Sequence, residues 1–354
     1  MRIALVGVGD AGAHHARALM SLAASGRVQP VAVCARNASV LQQRRHQLAL
    51  PDSVRCVSSL SQLLTSVPCD AVILATPDGL HADQIIECAA HGKHVLVEKP
   101  LALRHSDAKR AIEAAQAQRV LLRVGYHLRH HAAHRLVQQR LDSLIGPLRS
   151  LSVRWAWPDP ATDGWRARGQ KARFWSLAAL GTHAIDLCQW SSGCRIRRCV
   201  GVTVPPLSVG VDRSAELVLE FESGVLAHVS VSVTHRALPR VLWVGDRGEI
   251  ECIGTLGARG RGELWHRPLQ QPAQAVDYEP VDPYAAQLAA FVDDVVRCRT
   301  AALSDGAPSL LHAQPNAGLN FRPDSDGALA AALENVGVLD LLTDSTASLH
   351  KPLL

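Results

Sequence analysis

The stretch Arg2 to Gly12 reads RIALVGVGDAG, and its punctuation decides the fold. A short apolar run, Ile3 to Val6, stops at Gly7-Val8-Gly9-Asp10-Ala11-Gly12, a G-x-G-x-x-G spacing. Glycines are common in turns, so the spacing alone says little. Here it follows a strand pattern and opens a helical one near residues 12 to 24, which is the context a phosphate-binding turn demands. Gly7 then permits the tight turn, Gly9 lets the backbone approach a pyrophosphate, and Gly12 lets the helix pack on the strand. The helix start, Asp10 and Ala11 included, faces the anion.

Outward from this turn, residues 1 to 124 alternate β-rich runs with helical patterns. The strands are Ile3 to Val6, Val31 to Cys34, Ala71 to Ala75, His94 to Val97 and Val120 to Val124. Helices are predicted near 12 to 24, 38 to 48, 58 to 66, 79 to 91 and 105 to 117. Such alternation implies parallel pairing through right-handed crossovers, hence an α/β doubly wound Rossmann sheet. After residue 125 the pattern changes. A helix near 131 to 143 leads to a strand from Leu148 to Trp157, a loop bearing Trp165, Arg166, Arg168 and Arg173, and a helix from Phe174 to Trp190. Strands follow at Arg197 to Val204, Ala215 to Glu222, Val225 to Thr234, Arg240 to Val244 and Glu249 to Ile253. Consecutive strands with Gly-containing turns signal antiparallel pairing. A helix at 283 to 298, a loop at 303 to 326 and a helix at 327 to 342 complete an α+β domain, 125 to 354.

The bulk numbers agree with a two-domain protein. The 354 residues exceed what one hydrophobic core usually serves. A net charge of +5 without a dense basic stripe argues against nucleic acid as a partner, and no apolar run is long enough to cross a bilayer. The N-terminal apolar segment, interrupted by Gly and Asp, fits a strand and turn better than a signal peptide. Nine cysteines, odd in number and without metal spacing, fit reduced thiols in the cytoplasm. The seventeen histidines are expected mostly on the solvated surface.

At the end of the second strand, where NAD-binding folds place an acid against the ribose, the chain reads Cys34-Ala35-Arg36-Asn37. The acid is absent. Arg36 suits stacking on adenine and pairing with a 2′-phosphate, so NADP is expected over NAD. Further on, VLVEKPL (Val95 to Leu101) ends an apolar run with an acid, a base and a proline. A charge at a buried strand end needs pairing or a chemical purpose.

By Ala75-Thr76-Pro77, His81, Gly92-Lys93-His94, Glu98-Lys99-Pro100, Gly125-Tyr126-His127-Leu128-Arg129 and Gly181-Thr182-His183-Ala184-Ile185-Asp186, the chain resembles the Gfo/Idh/MocA oxidoreductases over nearly its whole length. The resemblance implies a Rossmann domain followed by an open-faced antiparallel sheet. It implies cofactor contacts from Thr76, Pro77, His81, Glu98 and Lys99, and a cis bond before Pro100. It also places Lys99 at the substrate hydroxyl, where an ammonium stabilises a developing alkoxide.

Leu177, Leu180, Ala184 and Leu187 mark a buried helical stripe, with positions 179, 183 and 186 on a neighbouring face. His183 on such a face suits a general base. Many relatives carry an Asp one turn before this His; here that position is Ala179, which should leave His183 a weaker and less firmly placed base. The relatives' Gly-Gly upstream is also missing, replaced by Ala172 to Trp175. Asp186, Tyr126, Arg129 and Thr182 are expected on the substrate side, with Trp157, Trp165, Arg166 and Arg173 as the far wall of the substrate cleft. His127, His130, His131 and His134 share helical spacing, but no acid or Cys completes a ligand set, so no metal is expected and the segment reads as a solvated helix start.

The leading expectation is an NADP-dependent dehydrogenase or reductase for a sugar, cyclitol or related small molecule. The alternatives are a cofactor-binding regulatory or scaffold protein, which Ala179 favours, and a glycosidase using bound cofactor for transient oxidation. Apolar alternation in Val225 to Val233 permits a homo-oligomer through the antiparallel sheet.

Overall fold

The computed structural model describes residues 1–159, 164–166, 172–205, 210–303 and 326–344. The chain forms two compact units. The first comprises Met1–Ala102, Ser106–Gly125 and the segment from Tyr284; the second comprises Leu103–His105, Tyr126–Pro283 and the segment from Ala330. The helix after residue 283, which the sequence assigns to the second domain, therefore groups with the first unit.

In the first unit the strands are β1 (Arg2–Val6), β2 (Gln29–Cys34), β3 (Arg55–Val57), β4 (Ala71–Leu74), β5 (His94–Val97) and β6 (Leu122–Val124). They are connected by α1 (Asp10–Ala24), α2 (Ala38–Gln47), α3 (Leu60–Ser66), α4 (His81–Ala90) and α5 (His105–Ala117). The sheet order is β3-β2-β1-β4-β5-β6, every pair parallel. Strand β3 is absent from the sequence reading, because three residues give too short a run to register against its polar flanks. Continuous apolar strands follow from the architecture: AVIL in β4 is wholly buried, since helices cover both faces of a parallel sheet. The order reverses between β1 and β4, where an open α/β sheet forms its crevice. Gly7, Arg36, Thr76 and Lys99 all follow the carboxyl ends of strands on this side of the sheet.

The second unit contains α6 (Ala132–Ile145), β7 (Leu148–Ala156), α7 (Thr182–Ser192), β8 (Ile196–Val204), β9 (Ser214–Phe221), β10 (Leu226–Ser232), β11 (Arg240–Gly245), β12 (Gly248–Ile253), β13 (Glu263–Pro268) and β14 (Gln274–Ala275). Helix α8 (Pro283–Leu303) follows, and α9 (Asp326–Asp344) returns to this unit from Ala330. The sheet runs β14-β13-β12-β11-β7-β10-β9-β8. It is mixed rather than wholly antiparallel, because β7 and β10 pair in parallel. Sequence-adjacent strands pair antiparallel through turns, but β7 enters the middle of the sheet from across the helical segment, and its direction is not set by a turn. One sheet face packs on α6 and α7 around Trp243, Phe221 and Phe174.

Helix α7 is buried on every side: the expected stripe of Leu177, Leu180, Ala184 and Leu187 is there, but His183, Asp186 and Gln189 are buried too. Among the described residues six histidines are buried, namely His15, His81, His127, His131, His134 and His183, so the expectation of solvated histidines fails for these six, and the others described are half-buried or exposed.

Candidate active site

The glycine turn has the geometry that its spacing demands. Gly7 has φ +96°, and a Cβ there would stand 2.2 Å from the Ala75 carbonyl oxygen; a Cβ on Gly12 would stand 2.2 Å from the Gly7 carbonyl oxygen. Gly9 differs from both, since a Cβ there would meet nothing within 4 Å. Gly7 and Gly12 are closed by the protein, and Gly9 between them faces open space. Gly9 also starts α1 without a side-chain cap, so the first helical N–H groups and the dipole are left to an external anion. This cradle fits a dinucleotide pyrophosphate, with Asp10 and Ala11 beside it.

Around the cradle, Gly7 N–H donates to the Cys34 carbonyl at 2.9 Å, tying the turn to the end of β2. Arg36 follows, exposed, immediately before Asn37, whose Oδ1 caps α2 by accepting from Ser39 N–H at 3.0 Å and Val40 N–H at 3.2 Å. Thr76 and Pro77 are half-buried after β4, and the Thr76 hydroxyl donates to Gln84 Oε1 at 2.6 Å. His81 is fully buried, so its expected contact with the cofactor is corrected. Its ring nitrogens face the carbonyls of Pro100 at 2.7 Å and Thr76 at 2.9 Å, linking the loops after β4 and β5.

Lys99 is half-buried at the end of β5, and its bond to Pro100 is cis. Glu98 is buried; its Oε1 lies 2.8 Å from His15 Nε2, and its Oε2 accepts the Lys99 backbone N–H at 3.2 Å. Glu98 thus faces inward to the fold rather than outward to a cofactor.

The second unit gathers a separate set. Arg129 donates to both oxygens of Asp186, Nε to Oδ2 at 2.8 Å and Nη2 to Oδ1 at 2.6 Å. The Asp186 side chain is 1% exposed and both its oxygens are engaged, so it holds Arg129 rather than contacting a ligand itself. Burial pushes the Asp186 carboxyl up from its usual range, against the pull of the guanidinium. Tyr126 and Thr182 stand together, with hydroxyls 3.1 Å apart, and Thr182 donates on to Asn335 Oδ1 at 3.2 Å while Asn335 Nδ2 returns to the Thr182 carbonyl at 2.8 Å. All three side chains are buried, so Tyr126 and Thr182 brace the site more than they line it.

His183 is 2% exposed and ringed by His127 at 4.6 Å, Trp155 at 5.9 Å and Tyr126 at 6.0 Å between centroids. It follows a π-helical turn, Leu177–Gly181, that includes Ala179; such turns recur at functional sites. Asp212 anchors this turn: Oδ1 accepts Trp175 N–H at 2.9 Å, and Oδ2 accepts Leu177 N–H at 2.8 Å and the Ser176 hydroxyl.

The four histidines at 127 to 134 do not form a solvated helix start. Burial is the leading reason that His130 is lowered to about 3, His131 to about 4 and His134 to about 3, so these three are uncharged near neutrality. His131 caps α6 by accepting the Ala133 N–H at 3.2 Å, and His134 spans the Leu128 carbonyl and the Thr255 hydroxyl. Of the expected far wall, Trp165 stacks under Arg166 at 4.2 Å, Trp157 is half-exposed under Arg236 at 4.4 Å, and Arg173 donates to Asp340 and Thr343. Each has its own partner; Arg168 lies outside the described residues.

His15, Trp155, Asp212 and Asn335 escape the sequence reading, and His127 enters it as part of a solvated helix start. A signal for His15 exists, since it interrupts the buried stripe Gly12, Ala16, Leu19 of α1 with a polar ring.

Residues 1–126 match the family model of an oxidoreductase family with an NAD-binding Rossmann fold, and residues 130–251 match the C-terminal domain model of the same family. An inositol 2-dehydrogenase of Saccharopolyspora erythraea is 30% identical over 308 residues, 82% of this chain and 84% of that protein. Among solved structures, a levoglucosan dehydrogenase in complex with NADH and levoglucosan superimposes with TM-score 0.79 at 17% identity, covering 98% of this chain and 96% of that one. A mutant 3-ketoreductase from Actinomadura kijaniata with TDP-benzene and NADP gives 0.78 at 21%, covering 97% of each. With both halves matched by the family's own domain models, and with a glycine cradle and strand-end lysine in their expected places, the chain belongs to the Gfo/Idh/MocA oxidoreductase family.

Proposed function

We propose that the chain is an NADP-dependent dehydrogenase or reductase acting on a secondary carbinol or carbonyl of a sugar, cyclitol or related small molecule. The observation that carries this reading is the gathering of Gly7, Arg36, Thr76 and Lys99 at the carboxyl ends of β1, β2, β4 and β5, on both sides of the point where the strand order reverses. When bound, the nicotinamide supplies or accepts hydride. The chain's own residues do the rest. Gly9, Asp10 and Ala11 hold the pyrophosphate, Thr76 and Pro77 flank the cofactor, and Arg36 pairs with a 2′-phosphate. The Lys99 ammonium stabilises negative charge on the reacting oxygen, and His183 exchanges the proton. Arg129, steadied by Asp186, orients polar substrate groups, with Trp165 beside them.

The relatives include an inositol dehydrogenase and a 3-ketoreductase, which supports the polyol or keto-sugar class. They include both NADP and NADH complexes, so the preference for NADP rests on Arg36. Alanine at position 179 favours the reductive direction, or an imine or conjugated carbonyl as substrate. The setting we infer is a cytoplasmic homo-oligomer paired through the outer sheet face, where Val202, Val204, Val218 and Leu226 are exposed; light scattering on the eluting protein reads its mass.

Fluorescence titration with NADPH and NADH, followed by nicotinamide absorbance with a panel of sugars, cyclitols and their keto forms, tests the reading. NADPH preference with turnover is the expected result, and Lys99→Ala should then lower kcat by about 100-fold or more. Full turnover in Lys99→Ala would sink the mechanism. Tight cofactor binding without net turnover would move the function to a regulatory protein or a glycosidase.

A further inference from the structure

The buried Glu98 carboxylate is clamped from two sides within the first unit. Its Oε1 meets Nε2 of His15 at 2.8 Å, and its Oε2 takes the backbone N–H of Lys99 at 3.2 Å. His15 is 0% exposed and lies three residues after Gly12 on the helix that the glycine turn opens. One imidazole therefore ties the nucleotide-binding helix to the strand end that carries Lys99. The ring is itself held, with Tyr284 edge-on at 5.1 Å while His14 stacks on the same tyrosine at 4.8 Å. His15 Nδ1 has no hydrogen-bond partner among the described residues, so the tautomer that leaves no buried N–H orphaned carries its proton on Nε2 and donates to Glu98. Beyond the carboxylate, Gly125 closes the space: a Cβ there would stand 3.3 Å from Glu98 Oε1 and 3.2 Å from the Val97 carbonyl oxygen. A carboxylate this confined acts as a splint, because moving it would strand a buried charge.

We propose that His15 is a positioning residue for Lys99, acting through Glu98 to fix where the Lys99 backbone, and with it the ammonium, stands relative to the glycine turn. This rests on the reading of Lys99 as the group that serves the reacting oxygen. The chain has five lysines, Lys93, Lys99, Lys109, Lys171 and Lys351, so reductive ¹³C-methylation of the full-length protein gives a sparse NMR spectrum in which Lys99→Arg identifies the Lys99 signal.

In His15→Leu the Lys99 signal should shift and change its titration, while that of Lys93, in the same unit and donating to the Cys69 carbonyl at 3.0 Å, stays in place. His15→Gln, which keeps a donor at similar reach, should return the Lys99 signal towards its original position. A Lys99 signal unmoved in His15→Leu overturns the proposal, and so does a His15→Gln spectrum identical to that of His15→Leu. Should His15→Leu fail to fold, Gly125→Ala crowds Glu98 from the other side and must move the same signal, or the proposal falls. Unchanged turnover in Lys99→Ala would instead remove the catalytic reading while leaving the His15 coupling intact.

Discussion

The two units solve the problem of presenting charge in different ways. In the first, the anion site is backbone: three glycines within six residues, an uncapped helix and a strand end, all set by local geometry. In the second, the candidate site is assembled from side-chain pairs that meet across 56 and 57 residues of chain, Tyr126 with Thr182 and Arg129 with Asp186, braced by Asn335 a further 153 residues from Thr182. A backbone site stays rigid with few contacts and leaves its ligand-facing atoms free. A side-chain site needs buried partners, and each of them carries part of the stability of its unit.

That contrast can be broken by mutation. The largest effect is expected from Arg129→Met, which leaves Asp186 buried and unpaired and should cost about 3–5 kcal/mol in urea unfolding. Adding Asp186→Leu should recover most of that loss; failure to recover would mean that the pair is not the unit of stability. Next comes Glu334, on α9, which accepts from Ile196 N–H at 2.9 Å and from Gln189 Nε2 at 2.7 Å. Burial, outweighing Arg195 and these donors, raises its carboxyl to about 7. The folded protein therefore holds a proton that the unfolded chain has already released. The associated stability is fully present below about pH 4.5 and is lost as pH rises through about 7, a swing of up to about 3 kcal/mol. Glu334→Gln should flatten that part of the stability curve, as urea midpoints between pH 5 and 8 would record.

In the first unit the same kind of change should touch binding and spare stability. Arg36→Ala should weaken NADPH by about 10- to 100-fold, the worth of a charge-assisted hydrogen bond, and leave NADH and the melting temperature unchanged. Equal loss for both nucleotides would show that Arg36 stacks without reading the phosphate. Gly9→Ala, whose added methyl meets no protein atom, should likewise keep Tm within about 2 °C while nucleotide affinity drops. A large fall in Tm would mean that the turn is closed by protein and does not face a ligand.

The unequal legibility of the two units has the same origin. The strand-turn-helix at residues 2 to 24 and the strand-end Lys99 were visible because each depends on residues a few positions apart. The helix holding His183 was visible from Leu177, Leu180, Ala184 and Leu187, but periodicity could not reveal a helix buried on all sides, since the opposite face of α7 carries His183, Asp186 and Gln189. Polarity alone misplaced the histidines: His131 and His134 lie inside because α6 and its neighbours supply them with backbone and hydroxyl partners.

By itself, then, the amino-acid order determined the α/β start, the glycine cradle, the lysine at the end of β5 and the change to a strand-rich second half, because hydrophobic period and turn chemistry act over short stretches of chain. The tertiary structure decided that Glu98 answers to His15, that Arg129 answers to Asp186, that β7 runs parallel to β10 and that His127, His131, His134 and His183 are buried. Those choices depend on which distant segments the folded chain brings within 3 Å of one another, and a buried polar group takes whatever partner packing places there.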